Sequence, residues 1–310
     1  MTGQVSYVFT KLCWVCNGAE RRFFASTTLN FEEYHEQDPE LAAYTGERID
    51  LWRCSVCGFA QPEKVPALPR YFERMYDQRW SPEWVEQEFE GTYKDLIFRD
   101  VLDALHRRIK HKPRALLDIG AHAGRFLHLA VCAGWDAEGT EINPRTAAHA
   151  AQHSGGRLHR LPAESIAELG SRFNAVTLTD VLEHLPEPLN VLARVREVLV
   201  PGGWVAVKVP CGPAQLLKET VRTYLHRNYR GGVAGNLVHV SHFSPRSLRY
   251  ALESAGFDSI SIFVAAPERP PSQLSWCARL AVFRASRLMP FGVYTPMALN
   301  LQALARKTEV

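Results

Sequence analysis

Two cysteine pairs carry a strong chemical signal in this 310-residue chain: Cys13-Trp-Val-Cys16 and Cys54-Ser-Val-Cys57, separated by 37 residues. Each Cys-x-x-Cys turn presents two thiolates side by side, and two such turns can close a tetrahedron around one Zn(II) ion. Asn17-Gly18 and Gly58 place permissive backbone directly after the second cysteine of each pair. A site of four thiolates has no open position, so its metal serves folding rather than chemistry. The alternative is a redox pair, or thiols with no common role. Cys132, Cys211 and Cys277 stand alone and read as core or incidental residues.

A second stretch, Ala115-Leu-Leu-Asp-Ile-Gly-Ala-His-Ala-Gly-Arg-Phe-Leu127, runs from an apolar segment through small residues into an amphipathic one. It reads as a buried strand, a tight turn and a helix start, and in an open α/β sheet such a turn lies where ligands bind. Gly120 and Gly124, with Ala121 between them, let backbone approach a ligand closely, and Asp118 at the strand end can fix its orientation. Glu141 ends the next predicted strand, 23 residues beyond Asp118. A carboxylate at that spacing is placed to accept the two hydroxyls of an adenosine ribose. The same spacing fits a dinucleotide enzyme, and the turn alone fits any Rossmann-like protein.

The later segments discriminate. Asp118-Ile-Gly120-Ala-His122-Ala-Gly124 resembles the first motif of the class I S-adenosylmethionine-dependent methyltransferases, Asp-x-Gly-x-Gly-x-Gly, with His122 in the middle glycine's place. Pro162-Ala163-Glu164-Ser resembles their adenine-edge segment, and Phe173 to His184, containing Asp180-Val181-Leu-Glu, their fourth motif. Pro201-Gly-Gly-Trp-Val-Ala-Val-Lys-Val-Pro210 and Ser244-Pro-Arg-Ser-Leu through Ala255-Gly-Phe257 match the turn into the fifth strand and the late helix. Five matches in the right order identify residues 71–310 as resembling this family. The resemblance implies S-adenosylmethionine bound by Asp118, Gly120, Ala121, His122, Gly124, Glu141, Ile142, Ala163, Glu164, Asp180 and Val181, with Ile142 against the adenine. An imidazole at position 122 either clashes with the cofactor or points away and donates a hydrogen bond. With the paired cysteines, the chain is similar to bacterial zinc-ribbon-bearing methyltransferases of antibiotic, deoxysugar and surface-polysaccharide pathways.

A sulfonium methyl is already electrophilic, so such a protein aligns donor and acceptor and excludes water. A hydroxyl or carbon acceptor also needs a base, and histidine is matched to neutral pH. His239 and His242, in Asn-Leu-Val-His-Val-Ser-His-Phe-Ser244, are the favoured candidates, and His184 at the end of the fourth motif is the third. A structural hydrogen-bonding role is the alternative for each. The two favoured histidines lie in an insertion, 211–243, that covers the acceptor in this fold. Lys218, Arg222, His226, Arg227 and Arg230 in the same insertion suit a phosphate or carboxylate on a sugar-nucleotide or carrier-linked acceptor, or form a solvated helix face.

These groups need elements to position them. The expected fold is α/β: a Rossmann-like class I methyltransferase core, its mostly parallel seven-stranded sheet flanked by helices on both faces, plus a small N-terminal zinc-ribbon-like module. Residues 1–65 form the zinc-binding module, 66–112 a linker and helical cap, and 113–310 the methyltransferase domain. The prolines of Gln61-Pro-Glu-Lys-Val-Pro-Ala-Leu-Pro69 make that stretch an irregular linker. Tyr71, Tyr76, Trp80, Trp84 and Tyr93 are available either to a lid or to packing. Arg279, Arg284 and Arg287 alternate with apolar residues on a late helix that either packs on the sheet or lies on a membrane surface.

A hydrophobic content of 46%, 22% charged residues and the lack of a long apolar run describe a water-soluble globular chain, expected in the cytoplasm. A net charge of +3 argues against nucleic acid as partner. The expected activity is methyl transfer from S-adenosylmethionine to a small molecule, most simply onto a hydroxyl of a sugar or secondary metabolite. RNA methylation, and a non-catalytic binding protein with a degenerate pocket at His122, are the alternatives.

Overall fold

The computed structural model describes residues 5–77, 81–111, 114–226, 232–233 and 235–308. The N-terminal part is built from β1 (Tyr7–Phe9), β2 (Arg21–Thr28), α1 (Pro39–Ala42), β3 (Arg48–Cys54), β4 (Ala60–Pro62) and β5 (Lys64–Pro66). β2, β3 and β4 form an antiparallel sheet, and β1 pairs antiparallel with β5. Helices α2 (Tyr71–Asp77), α3 (Pro82–Glu90) and α4 (Asp95–Arg108) lead into the core.

The core alternates strand and helix: β6 (Ala115–Ile119), α5 (Arg125–Cys132), β7 (Asp136–Thr140), α6 (Pro144–His153), β8 (Arg157–His159), β9 (Phe173–Thr179), α7 (Pro188–Val198) and β10 (Leu199–Pro210). It ends with α8 (Gly212–Leu225), α9 (Pro245–Ser254), β11 (Phe257–Val264), α10 (Gln273–Leu288) and β12 (Asn300–Lys307). The sheet order is β11-β12-β10-β9-β6-β7-β8, and only β12 runs antiparallel to its neighbours. Runs such as Leu116-Leu117 in β6 and Val205-Ala206-Val207 in β10 are buried, as strands covered on both faces require. Helix starts are written in capping residues: the Asn143 side chain accepts from the amides of Arg145 and Thr146, and Ser244 and Ser247 form a capping box. From β6 the chain goes outward to β7 and β8 and then returns to β9 on the other side. That reversal opens a crevice at the carboxyl ends of β6 and β9.

One expectation about the N-terminal part changes. Residues 61–69 are not an irregular linker, because β4 and β5 lie within them. The Gln61 side chain is buried there, accepting from the Trp14 amide at 2.8 Å and donating to the Leu12 carbonyl at 3.0 Å. The cysteine-bearing part is packed on the large sheet. Cys13, Val15, Cys54, Cys57 and Phe59 share one apolar core with β6, β9, β10 and α9. Phe59 packs edge-on against Phe243 at 5.0 Å, and Ala60 exchanges both backbone hydrogen bonds with His242. Among the described residues, no helix is long and apolar enough to cross a membrane.

Candidate active site

A cavity of about 460 Å³ occupies the crevice at the switch point. Asp118, Gly120, Ala121 and His122 reach it from the end of β6, Glu141 and Ile142 from the end of β7, and Asp180, Val181 and His184 from the end of β9. Trp84, Glu88, Tyr93, Lys94 and Phe98 close it from α3 and α4. The turn after β6 has the shape a close ligand requires. Gly120 and Gly124 have φ of +70° and +90°, and a Cβ on Gly120 would meet Val181 at 2.6 Å. His122 adopts φ +53°, a left-handed conformation that costs an L-residue on the order of 1 kcal/mol. Glu141 offsets that cost. Its Oε2 accepts from the His122 amide at 2.8 Å and its Oε1 from the Asn143 amide at 2.9 Å, so one carboxylate locks two backbone segments. The His122 ring stands edge-on to Trp84 at 5.1 Å, and burial, with Lys94 nearby, lowers its pKa to about 4. The neutral ring therefore packs into the wall under α3.

Asp118 is buried and accepts from Thr177 Oγ1 at 2.7 Å. Burial pushes its pKa up to about 7, the negative charge of Glu141 adds to the shift and the Thr177 hydroxyl opposes it. Glu141 is raised too, chiefly by burial, against the amides bound to it. Two carboxyls held in this way still have lone pairs facing the cavity, an arrangement suited to ligand hydroxyls and ammonium groups.

The far wall is more strongly charged. Asp180, also left-handed at φ +57°, pairs with Lys208 Nζ at 2.5 Å. Burial opposes its ionisation, but the Lys208 charge and hydrogen bond prevail and hold its pKa below the ordinary carboxylate value. Glu183 is buried beside it, its pKa driven well up by burial and by repulsion from Asp180, and its Oε2 has no hydrogen-bond partner among the described residues. The Glu183 carbonyl accepts from the amides of Val240 and Ser241, both at 2.9 Å, tying the 238–241 segment to this wall. His184 Nδ1 lies 2.7 Å from the Val238 carbonyl, which can only accept, so the proton sits on Nδ1. The His239 ring stacks edge-on to His184 at 4.7 Å. Burial, then repulsion from His184, lowers its pKa to about 3. One ligand atom each of Glu183, His184 and His239 lies within 4.8 Å of the others, a set that can also chelate a divalent cation.

Several sequence-derived candidates lie elsewhere. His242 does not line the cavity. It is buried against Phe24 at 5.6 Å, and burial lowers its pKa to about 4. Ala163 and Glu164 lie in a 3-10 turn outside the cavity lining, the first buried and the second exposed. Gly124 does not line the cavity directly but shapes its turn, where an added Cβ would meet Ala150 at 2.9 Å. Of the lid candidates Trp84 and Tyr93 reach the cavity, whereas Tyr71 packs against Phe31 and Phe72. Trp80, the Tyr76 side chain, Arg227 and Arg230 lie outside the described residues. The sequence reading missed Lys208 and Glu183. A lysine inside the apolar strand Trp-Val-Ala-Val-Lys-Val was the available signal, since a buried ammonium demands a partner.

The second cluster is the four cysteines. Their sulfurs all lie within 4.8 Å of one another, with Cys13 to Cys57 at 3.6 Å and Cys16 to Cys54 at 3.4 Å. A tetrahedron of Zn–S bonds about 2.3 Å long has edges of about 3.8 Å, so the donor set fits zinc in number, type and spacing. Gly18 packs directly on the cluster, since an added Cβ there would press on the Cys16 and Cys54 sulfurs at 3.3 Å.

A family model described as a methyltransferase domain matches residues 91–262. Curated relatives named ubiquinone biosynthesis O-methyltransferase include one from Cereibacter sphaeroides (strain ATCC 17023), 36% identical over 153 residues, 44% of this chain and 61% of that protein. Another, from Bordetella avium, is 31% identical over 98 residues, 30% of this chain and 41% of that protein. The first of these alignments spans about three fifths of its relative's length and the second about two fifths. Among solved structures, Haemonchus contortus phosphoethanolamine N-methyltransferase 2 in complex with S-adenosyl-L-methionine has TM-score 0.51 at 15% identity, covering 93% of this chain and 68% of that one. A chain from the complex of the Haloferax volcanii Trm112 methyltransferase activator with a putative methyltransferase also has TM-score 0.51 at 15% identity, covering 73% and 97%. At these identities the structural likeness concerns the fold alone.

Proposed function

This chain belongs to the class I S-adenosylmethionine-dependent methyltransferases, and on that premise we propose that it methylates a hydroxyl of a small molecule held against His184. The observation that carries the reading is the convergence on one cavity of the Asp118–His122 turn, Glu141 and the Asp180–His184 turn, from three successive strand ends. In this reading Glu141 accepts the ribose hydroxyls, Ile142 lies against the adenine, and the carboxyls of Asp118 and Asp180 orient the methionine part with Gly120, Ala121, His122 and Val181. When bound, S-adenosylmethionine supplies a methyl carbon that needs no further activation.

What remains for the protein is alignment, water exclusion and one proton. The Val238 carbonyl fixes the His184 tautomer with its basic lone pair on Nε2. As Nε2 takes the acceptor hydroxyl proton, the ring becomes a cation whose Nδ1–H stays on the carbonyl and whose charge faces Asp180. His239, with its low pKa, remains neutral and supports the ring. Trp84, Tyr93, Phe98 and Leu185 give the cavity aromatic and apolar walls. Those walls favour a hydroxyl on an apolar or ring-bearing metabolite over one on a bare sugar. The names of the curated relatives, which specify O-methylation, support oxygen as the acceptor atom. In the second cluster, Zn(II) on Cys13, Cys16, Cys54 and Cys57 serves as a structural staple.

Calorimetric titration with S-adenosylhomocysteine, with NADH as control, tests the cofactor, and His184→Gln tests the base. Micromolar binding of the former ligand alone is expected. In His184→Gln that affinity should persist while turnover of a methyl-accepting phenol or alcohol falls by roughly 10²–10⁴-fold. No binding of either nucleotide would instead favour a non-catalytic binding protein.

A further inference from the structure

Helix α10 carries an outer face unlike that of a solvated helix. Its inner side packs through Phe283 and the buried Ser286, and Arg287 is paired with Asp100 at 2.5 Å and donates to the Val264 carbonyl. Diametrically opposite, at alternating steps of four and three, run Leu274, Ala278, Ala281, Ala285 and Leu288, all exposed. Leu274 and Leu288 are 83% and 86% exposed, and the stripe continues past the helix end into Met289 and Phe291, the latter 74% exposed. Over its 16 residues, a length of about 24 Å, α10 contains no Asp, Glu or Lys. The excess extends beyond the helix: residues 269–308 hold five arginines and one lysine and not one acidic residue.

We propose that this face docks on an anionic lipid surface, with the Leu274–Leu288 stripe and Phe291 in the acyl boundary and Arg284, exposed at the flank of the stripe, at the headgroups. An exposed apolar stripe that extends beyond the helix end marks an interaction site. Its charge selects the occupant. A cationic side chain beside an apolar stripe, with an aromatic at its end and no acidic residue in the stretch, matches a negatively charged interface, and the arginine stem can reach up to headgroups while the stripe stays down. A second copy of the chain would bring like-charged arginines together across the pairing, a repulsion no acidic residue of the stretch relieves. The chain enters α10 past Arg269, whose amide donates to the carbonyl of Tyr93, a residue of the cavity wall.

The test is co-sedimentation of the full chain with vesicles of phosphatidylcholine alone and of phosphatidylcholine mixed equally with phosphatidylglycerol. Binding to the mixed vesicles only, weakening as salt is raised, is expected. Arg284→Glu should lower that partitioning at least ~5-fold, the effect of one lost arginine contact. Leu288→Ser with Phe291→Ser should abolish it. Arg284→Glu and the Leu288→Ser with Phe291→Ser double variant should both keep wild-type far-UV circular dichroism and S-adenosylhomocysteine affinity, which separates lost docking from lost folding. Equal binding to both vesicle types, or none to either, would overturn the proposal. So would a wild-type dimer in analytical ultracentrifugation that Leu288→Ser with Phe291→Ser dissolves, since that would make a second copy the occupant.

Discussion

Glu141 has two duties: it faces the cavity and it holds the His122 amide in a left-handed turn. Glu141→Ala should therefore weaken S-adenosylhomocysteine binding by roughly 1–3 kcal/mol, read by calorimetry, and should also lower the melting temperature of the ligand-free protein. An affinity equal to wild type would remove Glu141 from the ribose site. His242 supports a different measurement. Its pKa lies near 4 in the folded chain against an ordinary 6.5, because burial disfavours the charged ring. Between those values the unfolded chain takes up a proton that the folded chain does not, so the stability tied to this residue is present above about pH 6.5 and drains away as pH falls toward 4. The melting temperature of wild type minus that of His242→Gln should accordingly shrink as pH is lowered from 7 to 5. Asp118 and Glu141 were legible in the sequence as cavity residues because each stands at a strand end at a fixed interval, whereas His184, which also lines the cavity, ranked there behind His239 and His242. His239 and His242 were not separable that way. Three residues apart in an irregular segment, one packs edge-on to His184 behind the cavity wall and the other packs against Phe24.

At the level of elements, the alternation of apolar runs and amphipathic segments from β6 to β10 disclosed the sheet, since buried parallel strands need both. The 61–69 stretch misled because proline was read as a breaker. Pro62 and Pro66 instead pair with Leu51 and Tyr7 on edge strands, where a missing amide costs nothing. Sequence also gave no sign that residues 59–60 would join 242–243, a pairing between segments more than 180 positions apart. That junction links the thiolate cluster to the 238–241 segment and so to His184 and His239. Phe59→Ala should cost about 3–5 kcal/mol, the range for deleting a buried aromatic, measured by denaturant titration. If the four cysteines hold zinc as proposed, Cys54→Ser should lower the zinc content found by metal analysis, and it should also reduce methyl transfer although none of the four lines the cavity. Undiminished transfer in a metal-free variant would show the junction to be mechanically idle.

For the whole molecule, a core shared between the cysteine-bearing part and the large sheet predicts one cooperative unfolding event rather than two. A chelator should lower the temperature of a single calorimetric peak without splitting it. The same long-range architecture sets an order in time. Among the described residues, β12 lies between β10 and β11 and is the one sheet partner of β11, yet it follows every other strand in sequence. A nascent chain emerging from the ribosome as far as Val264 would hold β11 with nothing to pair with and the edge of β10 open. Such edges recruit other strands. The sheet is thus sealed only by residues 300–307, and any shortening of the chain before them should yield an aggregating product rather than a smaller enzyme.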